Sequence, residues 1–234
     1  MDNLEKAADK IKKSTYLSCF TGAGISIESG IPVFRGVDGL YSKFDQSLLE
    51  ISSYRHNTVD SWKGIKAVFY DSFVNARPNL AHEILAKWEN NGLLKSVTTQ
   101  NIDNLHREAG SKNVIEYHGN KEYFVCFDCG ERFANEELKL TQEPPKCLKC
   151  GGLLKPDFIF FGEPIPTDAA NQSHEEAKKS DIQLIIGTTG TVQPASYIPH
   201  YAKKAGALII EINPDESSFT TSISNIFIHC HTTF

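Results

Sequence analysis

Residues 98–120 carry Gln100, Asn101, Asp103 and His118 within one short span, two amides, a carboxylate and an imidazole that directly follow apolar runs. The imidazole is the group suited to proton transfer near neutral pH. The strand-like run 93–99 ends at Gln100, and the run 114–117 ends at His118. Ligands in open parallel α/β sheets bind just beyond the carboxyl ends of strands, so two strand ends can deliver Asn101, Asp103 and His118 to one crevice. Taken alone, the same residues also read as a polar turn with a surface histidine.

A second set of chemically able residues follows. Cys126, Cys129, Cys147 and Cys150 form C-x2-C-x17-C-x2-C, with a glycine just after each pair. This spacing suits tetrahedral thiolate coordination of one zinc ion. Four sulfurs leave no open position for water, so the ion is expected to be structural, and the apolar-poor loop between the pairs is expected to take its fold from the metal. Redox use of a C-x2-C pair is the alternative.

The elements that must position these groups read as alternating strands and helices. A charged amphipathic helix over 3–13 precedes a strand over 14–20, and the turn Thr21-Gly22-Ala23-Gly24-Ile25-Ser26 then enters a second helix. Gly22 and Gly24 fit the first two glycines of G-x-G-x-x-G, which lets backbone amides approach a pyrophosphate. Ile27 occupies the third glycine position, and no obvious strand-terminal acid follows about twenty residues on, so the dinucleotide fingerprint is incomplete. Arg35 offers a fork for phosphate or an ordinary solvated cation. Residues 45–75 have helical apolar spacing, and a helix over 78–91 carries His82, expected to be a packed histidine. After the cysteines, α/β patterning resumes. Apolar strands over 182–186 and 207–212 run into Gly187-Thr188-Thr189 and Asn213-Pro214-Asp215, and a further strand covers 225–230, ending with Cys230. This alternation indicates an α/β protein with a doubly wound parallel sheet.

Bulk properties exclude several classes. A net charge of -5 with scattered Lys and Arg argues against nucleic-acid binding, and no apolar run approaches the ~20 residues that span a bilayer. The start lacks the regions of a signal peptide, so a cytoplasmic protein is expected.

Together these motifs resemble the sirtuin family of NAD-dependent protein deacylases. The resemblance runs through Gly22-Ala23-Gly24-Ile25-Ser26, Ser29 to Arg35, Thr99-Gln100-Asn101-Ile102-Asp103, His118-Gly119, the four cysteines, Phe161-Gly162-Glu163, Gly187-Thr188-Thr189 with Val192 and Pro194, and Asn213-Pro214. It implies a Rossmann-like NAD-binding domain from residues 1–30, 78–120 and 156–234. A helical insert over 31–77 and a zinc-ribbon insert over 121–155 would form a small domain, with the active cleft between the two. The implied reaction passes the acyl group of acyl-lysine to the ADP-ribose of NAD, releasing nicotinamide, free lysine and O-acetyl-ADP-ribose. His118 would be the general base at a ribose hydroxyl, with Asn101 and Asp103 orienting ribose and nicotinamide and Gln100 at the ribose. Ala23 and Arg35 would meet the phosphates. Gly22, Gly24, Ser26, Phe34, Ile102, Gly187, Thr188, Thr189, Asn213, Pro214, Asp215 and Cys230 complete the implied cofactor site. Phe34, Ile102, Ile159 and Phe161 would wall an apolar tunnel, and the substrate strand would add between Gly162-Glu163 and Val192-Gln193.

The sequence departs from the family at Val33, where some members have aspartate, and it stops at Phe234, where relatives usually continue into a final helix. The implied partners are acyl-lysine proteins, met by a monomer with no nucleic acid or membrane. Protein ADP-ribosyl transfer and a non-catalytic NAD-sensing module are the competing readings. Tyr70 and Phe73, three residues apart on a predicted helix, are expected to line the tunnel together. Members that remove succinyl groups typically have arginine where Phe73 stands, so neutral acyl groups are expected here. Cys19 is expected to be a buried packing residue.

Overall fold

The computed structural model describes residues 2–33, 39–40 and 45–230. In chain order it contains α1 Asn3–Lys12, β1 Leu17–Thr21, a 3-10 turn Ala23–Ser29, α2 Ile51–His56, α3 Thr58–Ile65, a π-helical turn Lys66–Asp71 and α4 Leu80–Asn90. Then follow β2 Leu94–Thr99, α5 Leu105–Glu108, β3 Val114–Glu116, β4 Gly119–Cys126, β5 Arg132–Ala134, β6 Leu154–Phe158, α6 Thr167–Lys179, β7 Ile182–Ile186, α7 Tyr197–Ala205, β8 Leu208–Asn213 and β9 Ile226–His229.

Six strands form a parallel sheet in the order β3-β2-β1-β7-β8-β9. Its central strands are buried on both faces, and the period-2 alternation divides their side chains between two cores. Leu17, Cys19, Leu184 and Ile210 pack with α1 and α4 residues such as Ala7 and Leu85. Phe20, Ile185 and Ile209 face the opposite way, against Ala177 of α6 and Ile198 and Ala202 of α7. Cys19 is fully buried, and burial raises its thiol pKa, as a packing residue requires.

Register aligns the strand ends. Thr21 pairs with both Thr99 and Ile186, Thr99 with Glu116, and Ile186 with Ile212. Chain order runs outward from β1 on one side and from β7 on the other, so the topological switch lies between these two strands, where an open sheet binds its ligand.

The segment after Leu154 does not rejoin the large sheet at once. β6 instead pairs antiparallel with β4 in a three-stranded sheet, β5-β4-β6. That sheet and the helices over 51–71 share one core, in which Tyr54, Trp62 and Phe69 pack with Phe124, Leu154, Phe158 and Phe160, and which includes Cys126 and Cys147. The zinc loop, expected to lack a core of its own, borrows one from the helical segment.

Candidate active site

The carboxyl ends of the parallel strands open into a cleft of about 600 Å³. Gly22, Ala23 and Gly24 line it after β1, Gln100, Asn101 and Ile102 after β2, and His118 after β3. Gly187, Thr188, Thr189 and Val192 follow β7, and Asn213, Pro214 and Asp215 end β8. Ile159, Phe161, Gly162 and Glu163 close the far side. Phe34 and Arg35 lie outside the described residues.

The glycines of the first turn interlock with the next strand end. The Gly22 N–H donates to Ile186 O (3.0 Å) and the Gly24 N–H to Gly187 O (2.8 Å). A Cβ on Gly24 would stand 2.6 Å from Gly187 Cα, a separation that no relaxed backbone allows. Gly24 therefore seats one turn on the other, a packing role that the fingerprint did not suggest. The Ala23 N–H has no acceptor among the described residues and stays available at the cleft.

Asn101 is held from behind. Its Nδ2 donates to Gly22 O (3.1 Å) and Ser26 Oγ (3.2 Å), while its Oδ1 has no protein partner among the described residues. Ser26 Oγ donates to Asp103 Oδ2 (2.7 Å), and the Leu105 N–H donates to Asp103 Oδ1 (3.0 Å). Burial raises the Asp103 pKa, and these hydrogen bonds oppose the shift.

His118 turns its Nδ1 to the Gln100 carbonyl at 3.0 Å. A carbonyl only accepts, so Nδ1 carries the hydrogen and Nε2 keeps a lone pair without a protein partner among the described residues. Burial lowers the His118 pKa from 6.5, partly offset by the Gln100 hydrogen bond, so the ring is a neutral base at pH 7. Gly119, at φ +74°, starts β4 immediately afterwards; a Cβ there would lie 2.2 Å from Asp157 O. The Ile159 N–H donates to His118 O (2.8 Å), which ties the histidine turn to the apolar wall.

That wall rests on a buried cation. Lys155 Nζ donates to Pro156 O (3.1 Å), Phe158 O (2.9 Å) and Glu163 Oε2 (2.9 Å), and Glu163 Oε2 also accepts from the Phe160 N–H (2.9 Å). Glu163 is thereby turned inward. Phe161 pairs through its backbone with Leu49 and Ile51 and leaves its ring 47% exposed.

Tyr70 and Phe73 do not share the cleft wall as expected. The π turn Lys66–Asp71 adds a residue to the helical repeat and shifts which side chain faces the cleft. Phe69 lines it instead. Tyr70 stacks on Phe124 (5.6 Å), donates its hydroxyl to Lys121 O (3.0 Å), and lines with Phe73 a separate cavity of about 220 Å³. Sequence reasoning also missed Leu49, Phe158 and Phe160 as cleft residues. Phe158 and Phe160 stood beside the Ile159 and Phe161 that it named. Cys230 follows β9, with its N–H on Asn213 O (3.1 Å).

The four cysteine sulfurs lie within 4.8 Å of one another. Cys126–Cys150, Cys129–Cys147 and Cys129–Cys150 separate their sulfurs by 3.5, 3.7 and 3.4 Å, and none is in a disulfide. Zinc–sulfur bonds of ~2.3 Å in a tetrahedron require sulfurs about 3.8 Å apart, so the set fits one structural zinc.

Residues 22–194, from the first glycine turn past His118 and all four cysteines, match the profile of the Sir2 family. The chain belongs to the Sir2 family. Its relatives include an NAD-dependent protein deacylase of Pyrococcus furiosus, 43% identical over 93% of this chain and 89% of that protein. An NAD-dependent protein deacetylase 1 of Pyrobaculum aerophilum is 44% identical over 93% of this chain and 86% of that one. A solved Sir2 homolog–NAD complex superposes with a TM-score of 0.90 at 39% identity, covering 97% of this chain and 89% of that chain. A Sir2 variant with deacetylated p53 peptide and 3'-O-acetyl ADP ribose gives a TM-score of 0.91 at 33% identity, covering 99% and 94%. This Sir2-family chain thus spans most of the length of the relatives it matches.

Proposed function

We infer that this chain is an NAD-dependent protein-lysine deacetylase, which transfers the acyl group of an acyl-lysine to ADP-ribose with release of nicotinamide and free lysine. The observation that carries the reading is the His118 imidazole, fixed by the Gln100 carbonyl with Nε2 free at a cleft that gathers the ends of five parallel strands. Bound NAD would supply the ribose carbon that accepts the acyl oxygen. His118 Nε2 takes the proton of a ribose hydroxyl, for which its lowered pKa and fixed tautomer suit it. Asn101 presents Oδ1 to the cofactor while Gly22 O and Ser26, itself fixed by Asp103, hold its other end. The Ala23 N–H, Gln100, Gly187, Thr188, Thr189 and the Asn213–Asp215 strand end serve the remainder of the nucleotide, with Arg35, Phe34 and Cys230 assigned by family resemblance.

Phe69, Ile102, Ile159 and Phe161 form the acyl-lysine channel, and its apolar wall favours neutral acyl groups. The substrate backbone adds as a strand between Gly162-Glu163 and Val192-Gln193. We extend the proposal to a cytoplasmic monomer, a reading that rests on the sequence alone. Among the described residues, no helix is long and apolar enough to cross a membrane.

Mass spectrometry after incubation with NAD and an acetylated peptide tests the reaction. O-acetyl-ADP-ribose, nicotinamide and deacetylated peptide in equal amounts are expected. An ADP-ribosylated protein in their place would establish ADP-ribosyl transfer instead.

A further inference from the structure

Glu211 lies inside β8, two residues before the strand ends at Asn213, and its side chain is fully buried. Its partners are four neutral donors. Asn213 Nδ2 (2.8 Å) and the Ser217 hydroxyl reach Oε1, and Thr220 Oγ1 (2.9 Å) and Ser224 Oγ (2.6 Å) reach Oε2. A carboxylate withdrawn from water without a cationic partner is costly to keep, so this strand position calls for a reason beyond packing.

The two oxygens serve different neighbours. Asn213 and Ser217 both line the cleft, whereas Thr220 and Ser224 do not. Asn213 in turn clamps the adjacent strand end, with Oδ1 accepting from the Thr188 N–H (3.0 Å) and Nδ2 donating to Thr188 O (3.1 Å). One Nδ2 hydrogen goes to Thr188 and the other to Glu211, so the amide is fully specified. Thr188 Oγ1 accepts from Gln100 Nε2 (3.0 Å), and Gln100 O accepts from His118 Nδ1 (3.0 Å). A hydrogen-bonded path therefore runs from the buried carboxylate along the cofactor edge of the cleft to the imidazole.

We propose that Glu211 is a positioning residue for NAD: through Oε1 it fixes the Asn213 amide and Ser217, and with them the Thr188 strand end, in the shape that receives the nucleotide. The proposal deepens the function given above and rests on it. Oε2 has the separate task of tying down the turn over 217–224, which a purely structural carboxylate would do equally well.

Steady-state kinetics and calorimetric NAD titration of the full zinc-loaded chain separate the two tasks. Glu211→Ala should raise the KM and Kd for NAD at least tenfold, with kcat within threefold of the parent and the peptide KM within twofold. Ser224→Ala, which removes a donor to Oε2, should lower Tm and leave the NAD constants unchanged. Glu211→Gln should restore NAD affinity to within threefold, because its amide oxygen can still accept from Asn213 while the Thr220 and Ser224 hydroxyls turn to accept from its NH2. Unchanged NAD constants in Glu211→Ala, an equal rise in Ser224→Ala, or a Gln variant as impaired as Ala would each overturn the proposal. Should Glu211→Ala not fold, Glu211→Asp withdraws the carboxylate by one methylene and must raise the NAD KM at least threefold; no change overturns it. A parent protein that neither binds nor consumes NAD overturns the functional reading and this one with it, whereas a working parent with unaltered variants overturns this one alone.

Discussion

Acid should unfold this protein more steeply than its surface charges require, because two neutral imidazoles are buried side by side. His82 of α4 and His106 of α5 pack edge to face with ring centroids 4.8 Å apart. His82 Nδ1 is engaged by Asn79, and His106 Nε2 meets Thr21 Oγ1 at 2.9 Å; His82 Nε2 and His106 Nδ1 have no partner among the described residues. Burial lowers the His82 pKa from 6.5 to about 4, and burial followed by the neighbouring His82 lowers that of His106 well below 6.5. A group with a lower pKa in the folded state binds protons more readily when unfolded. Its contribution is complete above about pH 6.5 and is lost as pH falls toward the folded value. For His82 the loss reaches about 2.5 kcal/mol by pH 4.5, at ~1.36 kcal/mol per pKa unit. Protonation of the cysteine ligands also destabilises at low pH, so the assay must be differential. Urea midpoints of the parent and His82→Gln, measured between pH 7.5 and 4.5, should show the parent's advantage shrinking by about 2–3 kcal/mol over that range. Parallel stability curves, within about 0.5 kcal/mol throughout, would refute the reasoning.

Gly24→Ala places a Cβ 2.6 Å from Gly187 Cα and should cost more than about 2 kcal/mol while weakening NAD binding at least tenfold; unchanged Tm and NAD affinity would contradict the interlocked turns. Metal analysis should find one zinc per chain, and chelation should perturb Trp62 fluorescence, because Cys126 and Cys147 belong to the core that buries this ring. An active protein without zinc would count against that. A succinyl-lysine peptide should be turned over at least a hundredfold less efficiently than its acetyl counterpart, since a carboxylate against Phe69 and Phe158 loses hydration at a cost of a few kcal/mol. Equal kcat/KM for the two would sink the apolar channel. Phe73→Arg should leave this preference unmoved, because Phe73 faces the other cavity.

The parts legible in the sequence were those with a period or a fixed spacing. Strands buried on both faces announced themselves as apolar runs, and each run ending in Gly187, Gln100 or Asn213 marked the cleft, because strand ends in a parallel sheet converge there. The cysteine spacing needed no tertiary knowledge. The Leu154–Phe158 strand has no apolar run or alternation of its own to show which sheet it joins, and its partner β4 begins 35 residues earlier, at Gly119. The π turn at Lys66–Asp71 has no sequence period of its own, so Phe69 was passed over for Tyr70 and Phe73. Glycine was read as room for phosphate, whereas Gly24 needed room for Gly187. Glu211 carries no local signal beyond a charge between two isoleucines, since the hydroxyls that surround it lie six to thirteen residues further along the chain.

The most direct test of the central claim is the turnover of His118→Ala with NAD and an acetyl-lysine peptide, followed by production of O-acetyl-ADP-ribose, with NAD binding measured on the same sample. The proposed mechanism gives the imidazole, with its fixed tautomer and free Nε2, proton transfer rather than anchoring of the cofactor. Deacetylation should fall at least about a hundredfold, the lower bound of the range for loss of a general base, while NAD affinity stays within about fivefold of the parent. Near-normal turnover by His118→Ala would contradict the account.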